Sequence, residues 1–145
     1  MVEQRIENPC GGSSNLFLDK MENYLCNMLS KIKNAQLARK TVVFQKKNKI
    51  SENFLKLLWN EGFILGYTLR SHRLKIFLKY AANRPAIHSL RVVSKPSRRI
   101  FYSIKQVWKI NSSKSFIVLS TNQGLKSLLE CKKKNIGGEL LIVVN

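Results

Sequence analysis

The stretch STNQGLKSLLECKKKNIGGELLIVVN, residues 120–145, decides how this chain is read. It opens with Ser120, Thr121, Asn122, Gln123 and Gly124, a polar loop of hydroxyls, amides and an unshielded glycine backbone. Ser127 and Glu130 stand at capping-box spacing, in which a Ser at the N-cap and a Glu three residues on satisfy each other's backbone donors. The box predicts a short basic helix over residues 128–134, and Asn135 suits the left-handed position that ends a helix. Gly137, Gly138 and Glu139 lead into Leu140-Leu-Ile-Val-Val144, an unbroken apolar run that reads as a buried strand. A helix and a strand thus hold a hydroxyl-rich loop and a Gly-Gly-Glu turn at a fixed separation.

Outward from this stretch, the charge is one-sided. The 145 residues carry 26 Lys and Arg against 8 Asp and Glu, a net charge of +18. Residues 62–129 contain no acid at all, while thirteen Lys and Arg lie there. An ordinary solvated surface mixes signs. A surface of one sign repels itself and favours a polyanionic partner. The positives are spread over strands and turns, not along one amphipathic helix, which favours nucleic acid over a membrane surface. The apolar fraction of 44% suffices for a core, and the length allows one compact domain or two small halves.

Catalysis needs titratable groups placed together with matched pKa values. This chain has two histidines far apart, His72 and His88. Ser120 has no base near it in sequence. Neither a Gly-x-Ser-x-Gly elbow nor a phosphate-binding Gly-x4-Gly-Lys-Ser/Thr loop is present. The chain is therefore read as a binder, not an enzyme, with no cofactor and no small-molecule substrate. Cys10, Cys26 and Cys131 are too scattered for a disulfide framework or a zinc site, so no metal is expected. Cys26 and Cys131 read as small buried or half-buried thiols. No apolar run approaches the roughly 20 residues that span a bilayer. Glu3 and Glu7 are unlike the acid-poor character of an import peptide. The chain is expected to act where it is made or after loss of a targeting peptide.

Residues 1–18 read as an N-terminal extension without a core of its own. Asp19 and Glu22 then repeat the capping-box spacing. Met21, Leu25, Met28, Leu29 and Ile32 follow the rhythm of one helix face, and Lys31 and Lys33 fall off that stripe toward a partner. Thr41-Val-Val-Phe44 is a short strand. Ser51 is the expected cap of the next helix, Phe54, Leu55, Leu58 and Trp59 its buried face, and Gly62 its left-handed stop. Residues 63–70 and 73–80 read as strands joined at Ser71-His72, with Leu74, Ile76, Leu78 and Tyr80 on one face. Residues 81–86 are the expected linker. Strands follow at 87–93, 100–102 and 115–119, with a basic turn at 95–99. The expected fold is α+β in two small halves. An N-terminal α/β layer covers residues 19–83. A mainly β C-terminal half with a short helix covers residues 84–145 and binds RNA.

The final stretch resembles the end of the small-subunit ribosomal protein eight family: a Ser-Thr-Ser-x-Gly loop, a short helix, Gly-x-Gly-Gly-Glu and a terminal apolar strand. Asn122 departs from the third loop Ser and Asn135 from the first Gly. Upstream, Met28-Leu-Ser-Lys-Ile-Lys-Asn-Ala-Gln36 is similar to the family's first helix, Asn60-Glu-Gly-Phe-Ile64 to its second helix end and Leu78-Lys-Tyr80 to a strand. Val93-Ser-Lys-Pro96 followed by Arg99-Ile-Phe-Tyr102 resembles its central turn. The family's Gly before the strand at 115–119 is missing from Asn111-Ser-Ser-Lys-Ser115. The resemblance covers about residues 25–145. It implies a ribosomal protein that binds an internal loop in the central domain of small-subunit ribosomal RNA, supports assembly and has neighbouring small-subunit proteins.

The residues suit that role. RNA is read largely through irregular elements, by groups that reach base edges, 2′-hydroxyls and phosphates. Ser120, Thr121 and Asn122 donate and accept. Gly124, Gly137 and Gly138 let backbone approach RNA, or only make turns. Tyr102 is a candidate for stacking. Lys95, Arg98, Arg99, Lys132 and Lys133 are candidate phosphate contacts, which position without specifying. Glu139 accepts from base amino groups or 2′-hydroxyls, orders the loop, or pairs with a lysine. Two other readings stay open: a nonspecific basic RNA chaperone, and a protein-interaction module using the N-terminal half. The Lys/Asn/Ile/Phe-rich wording and the N-terminal extension suggest an organellar member, mitochondrial ahead of plastid or bacterial.

Overall fold

The computed structural model describes residues 9–95, 97–111 and 113–145, with side chains from residue 23 onward. The protein is α+β. Helix α1 (Pro9–Leu37) runs into β1 (Val42–Lys46), α2 (Lys49–Asn60), β2 (Ile64–Arg70) and β3 (Arg73–Leu78). A small hairpin, β4 (Tyr80–Ala81) and β5 (Arg84–Pro85), leads to β6 (Leu90–Val92), β7 (Phe101–Tyr102) and α3 (Ile104–Lys109). Then come β8 (Phe116–Thr121), β9 (Gly124–Ser127), α4 (Leu128–Lys134) and β10 (Gly138–Val144).

The first three strands form an antiparallel sheet in the order β1-β3-β2. Burial alternates along β3, with Leu74, Ile76 and Leu78 inside, because helices cover only one face of that sheet. Leu25, Met28, Leu29 and Ile32 of α1 pack there, together with Phe54, Leu55 and Leu58 of α2. The second sheet runs β6-β10-β8-β9, with β7 pairing the start of β10. Its central strand β10 is a wall between two cores. Leu141, Ile142 and Val144 join the larger core, which also holds the helices of the first half. Leu140 joins a smaller core with Val107 of α3, Leu119 of β8 and Leu128 and Cys131 of α4. The continuous apolar run of β10 is thus the mark of a strand covered on both faces.

Several expectations change. The first helix begins at Pro9, not at Asp19, so residues 9–18 are helical. Proline suits a first helical position, where its missing N–H is not needed. Residues 1–8 lie outside the described residues, as do the side chains of Asp19, Met21 and Glu22. The cap of α2 is Asn48, whose side chain accepts from the Ile50 N–H at 3.3 Å. Ser51 is buried instead. Gly62 does end α2, at φ 77°. Trp59 is 55% exposed and meets Tyr67 edge to face; Leu57 takes the buried place on that helix. The expected linker is a tight hairpin, with Ala82 and Asn83 both at positive φ. Although the sheets divide there, the larger core crosses the division.

Helix α3 goes unread in the apolar pattern because six residues are too short to show a 3.6-residue rhythm. Its cap carries the signal: the Ser103 N–H donates to Gln106 Oε1 at 2.9 Å, one arm of a capping box. Before β8, Asn111 Oδ1 accepts from the Ser113 N–H at 3.2 Å, an Asx turn where the resembling family has glycine.

Candidate nucleic-acid interface

The local structure of the final stretch follows its sequence closely. Ser127 caps α4, accepting from the Glu130 N–H at 3.3 Å, and Asn135 ends the helix at φ 53° and ψ 48°. The reciprocal arm of that box is not made: Glu130 Oε2 is buried with no hydrogen-bond partner among the described residues. Residues 120–124 are not an open loop. They are the tip of the β8–β9 hairpin, with Thr121 opposite Gly124 and Ser120 opposite Leu125. The Thr121 hydroxyl donates to the Gly124 carbonyl at 2.8 Å and accepts from the Gln123 N–H at 3.2 Å. It is committed to the turn. Asn122 is left exposed at the tip. Gly124, at φ 99° with open space where a Cβ would stand, supplies the left-handed corner.

Beside this tip lies the start of β10. Ser120 pairs with Glu139 across the sheet, and Tyr102 of β7 pairs with Gly138. The two glycines serve this crowding. A Cβ on Gly137 would sit 2.6 Å from the Tyr102 carbonyl oxygen, and one on Gly138 would strike the Ser120 carbonyl. Their missing side chains let three backbone segments of the protein meet, which gives both glycines a turn-making role.

Glu139 points inward. It is 6% exposed and accepts from Ser94 Oγ at 2.6 Å, while Arg99 Nη1 lies 3.5 Å away. Ser94 Oγ in turn accepts from the Ile100 N–H at 3.1 Å. The carboxylate therefore holds both ends of the basic turn, whose Lys95 and Arg98 exchange backbone hydrogen bonds at 3.0 and 2.9 Å. Through Oε1, Glu139 thus has an ordering role: it ties Ser94 to Arg99 across the turn that carries Lys95 and Arg98. The burial of the carboxylate is offset by its pairing with the Arg99 guanidinium.

The other expected residues separate into groups. Arg99, Ser120, Thr121, Asn122, Gly137, Gly138 and Glu139 line one depression of about 480 Å³, with Phe101 and Ile136. Tyr102 is half-buried against the smaller core, whereas Phe101 is 66% exposed at the depression. Phe101 is the aromatic that sequence reasoning overlooked. Its signal is period two: with Ile100 and Tyr102 inward, the residue between them faces out. Ser94 was also missed, since nothing local marks a serine as the partner of a carboxylate 45 residues away. Lys132 is occupied, donating to the Ile110 carbonyl at 2.8 Å with its Nζ 6.0 Å from the Trp108 ring centre; Lys133 is exposed. Lys31 is on α1, hydrogen-bonded to Gln45 at 2.9 Å, and neither it nor Lys33 lines the depression. Cys131 is buried, and burial with the neighbouring Glu130 carboxylate pushes its thiol above the usual range. Among the described residues no cluster of His, Cys, Asp and Glu could hold a metal ion, and no helix is long and apolar enough to cross a membrane.

Comparison with known proteins identifies the family. The chain matches the family described as Ribosomal protein S8 over residues 23–145. It is 39% identical over 124 residues to the small ribosomal subunit protein uS8 of Zymomonas mobilis, covering 83% of this chain and 95% of that protein. The uS8 proteins of Rhodopseudomonas palustris strain BisB18 and of Chlamydia pneumoniae are each 36% identical over 125 residues. Those alignments cover 83% of this chain in both cases, and 95% and 94% of the relatives. With a match that takes in both sheets, the hairpin tip and the Gly-Gly-Glu start of the last strand, this chain belongs to the ribosomal protein S8 family.

Proposed function

We propose that the chain is a structural constituent of the small ribosomal subunit, binding the central domain of small-subunit ribosomal RNA and supporting its assembly. The observation that carries this reading is the depression where the β8–β9 tip, β7 and the start of β10 converge. It sets an exposed aromatic, Phe101, beside the hydroxyl of Ser120 and the amide of Asn122. A basic turn stands next to it, held in place by Glu139. Stacking, hydrogen-bond readout and phosphate contacts are the three ingredients of recognition of irregular RNA. The residues act by binding, and no catalytic step is assigned to them. Neighbouring small-subunit proteins are the expected protein partners. The Lys/Asn/Ile/Phe-rich composition and the N-terminal extension support a mitochondrial ribosome as the compartment, although the relatives compared are bacterial.

The test is titration of the full chain against a central-domain RNA fragment and a scrambled RNA. Asn122→Ala and Phe101→Ala should each weaken cognate binding by about 1–3 kcal/mol and leave scrambled RNA nearly unchanged. Equal losses on both RNAs, with unchanged melts, would reduce the chain to a nonspecific basic RNA chaperone. Sedimentation of the chain with small subunits purified from mitochondria tests the compartment, and its absence there removes that part of the reading.

A further inference from the structure

The sheet of the first half has a second face that the surface described above does not use. β1 pairs with β3 as Phe44 opposite Lys75 and Lys46 opposite Arg73. β2 pairs with the other side of β3 as Thr68 opposite Lys75 and Arg70 opposite Arg73. Side chains alternate along a strand, so these residues all stand on the face away from Leu74 and Ile76. The helices lie on the side of the buried residues. Among the described residues nothing covers the outer face: Phe44 is 57% exposed, and Lys46, Thr68, Arg70 and Arg73 are exposed. Phe77 shares the face, with Lys75 Nζ 5.1 Å from its ring centre. A depression of about 380 Å³ opens beside Phe44, lined by Arg70, Ser71, His72, Arg73 and Lys75.

We infer that this outer face is a second RNA surface, one that takes unpaired nucleotides by stacking a base on Phe44 while Lys46, Arg70 and Arg73 meet the backbone. Charge selects the occupant. The face carries four cations, Lys46, Arg70, Arg73 and Lys75, and no carboxylate. A protein partner of ordinary mixed charge would have to bury or repel them, whereas a polyanion neutralises them and releases its counterions. The exposed ring adds a contact that any base can make, since every base has a π-face. An open sheet face bearing an aromatic between cations suits single strands, whose bases are free to stack, and not the closed grooves of a duplex. The surface is distinct from the hairpin-tip depression, so the two can fail separately.

The experiment uses the full chain with a short oligouridylate and a blunt RNA duplex of equal length as probes. Phe44→Leu keeps an apolar side chain but removes the π-face. It should weaken oligouridylate binding about tenfold and leave the duplex unchanged, while Phe44→Tyr should restore it. The double variant Lys46→Gln/Arg73→Gln should lower the log–log salt slope on oligouridylate by about 1.4, the contribution of two single-strand phosphate contacts. Wild-type oligouridylate binding and slope in these variants, with melts unchanged, would overturn the inference. So would a concentration-dependent self-association that Phe44→Leu abolishes without affecting oligouridylate, which would make the face a protein contact. Should Phe44→Leu alter the melt, the salt slope of the double variant decides. Loss of cognate discrimination in Asn122→Ala leaves this result untouched, and the reverse also holds.

Discussion

β3 and β10 occupy equivalent places, each hydrogen-bonded to a strand on both sides, yet they bury their side chains in different patterns. β3 alternates, with Leu74, Ile76 and Leu78 inside and the intervening residues turned to the open face. β10 buries Glu139, Leu140, Leu141 and Ile142 in succession. The difference lies in what stands over each sheet. Helices α1 and α2 cover one face of β3, so half of its side chains remain available to a partner. β10 has the shared core on one side and the core under α3 and α4 on the other. A strand covered on both faces has only its end to offer, and there the chain places two glycines and a carboxylate. The lesson is that an open sheet face and an exposed strand end are consequences of how many layers cover a sheet.

The comparison breaks most readily at Ile142. Ile142 is fully buried in the core that both halves share, so Ile142→Ala should cost about 2–5 kcal/mol. It should lower a single cooperative melting transition. Two transitions in calorimetry, with the first sheet melting at its wild-type temperature, would show that β10 is not a common wall. A smaller effect is expected at the rim. Gly138→Ala drives a Cβ into the Ser120 backbone and should cost about 1–3 kcal/mol by overpacking. Gly124→Ala, in open space but at φ 99°, should cost on the order of 1 kcal/mol through backbone conformation alone. Denaturant unfolding distinguishes them, and equal losses would mean that the close approach at β10 is not what requires glycine. The smallest effect sharpens the role of Glu139. Glu139→Gln keeps an acceptor for Ser94 but discards the pairing with Arg99, so stability should fall by about 1 kcal/mol. Cognate and scrambled RNA should weaken by the same factor as the basic turn loosens. An unchanged melt with loss on cognate RNA alone would return the carboxylate to direct RNA reading.

Legibility in the sequence followed the range of each interaction. Capping of α4 by Ser127 and its stop at Asn135 are bonds among neighbours, and the residues announce them. The stop of α2 at Gly62 is of the same kind. Trp59 misled because a heptad-like position shows only which way a side chain leaves the helix, not whether another element arrives to cover it. Ser51 misled because a nearby Asn48 competes for the same role. Residues 120–124 looked like a loop because their polar character matches one; what makes them a hairpin tip is the pairing of the segments that flank them, Val118 with Ser127 and Leu119 with Lys126.

By itself, the sequence determined the α+β class, the excess of positive charge, the short basic helix and the buried terminal strand, because charge, capping and apolar period are written in adjacent residues. Tertiary structure alone decided that Glu139 faces Ser94 and Arg99, that Phe101 and not Tyr102 is the open aromatic, and that Gly137 and Gly138 make room for backbone. It also decided that Phe44 stands uncovered among cations. Each of these depends on which distant segment comes to lie against the residue, and burial and pairing across tens of residues leave no local mark.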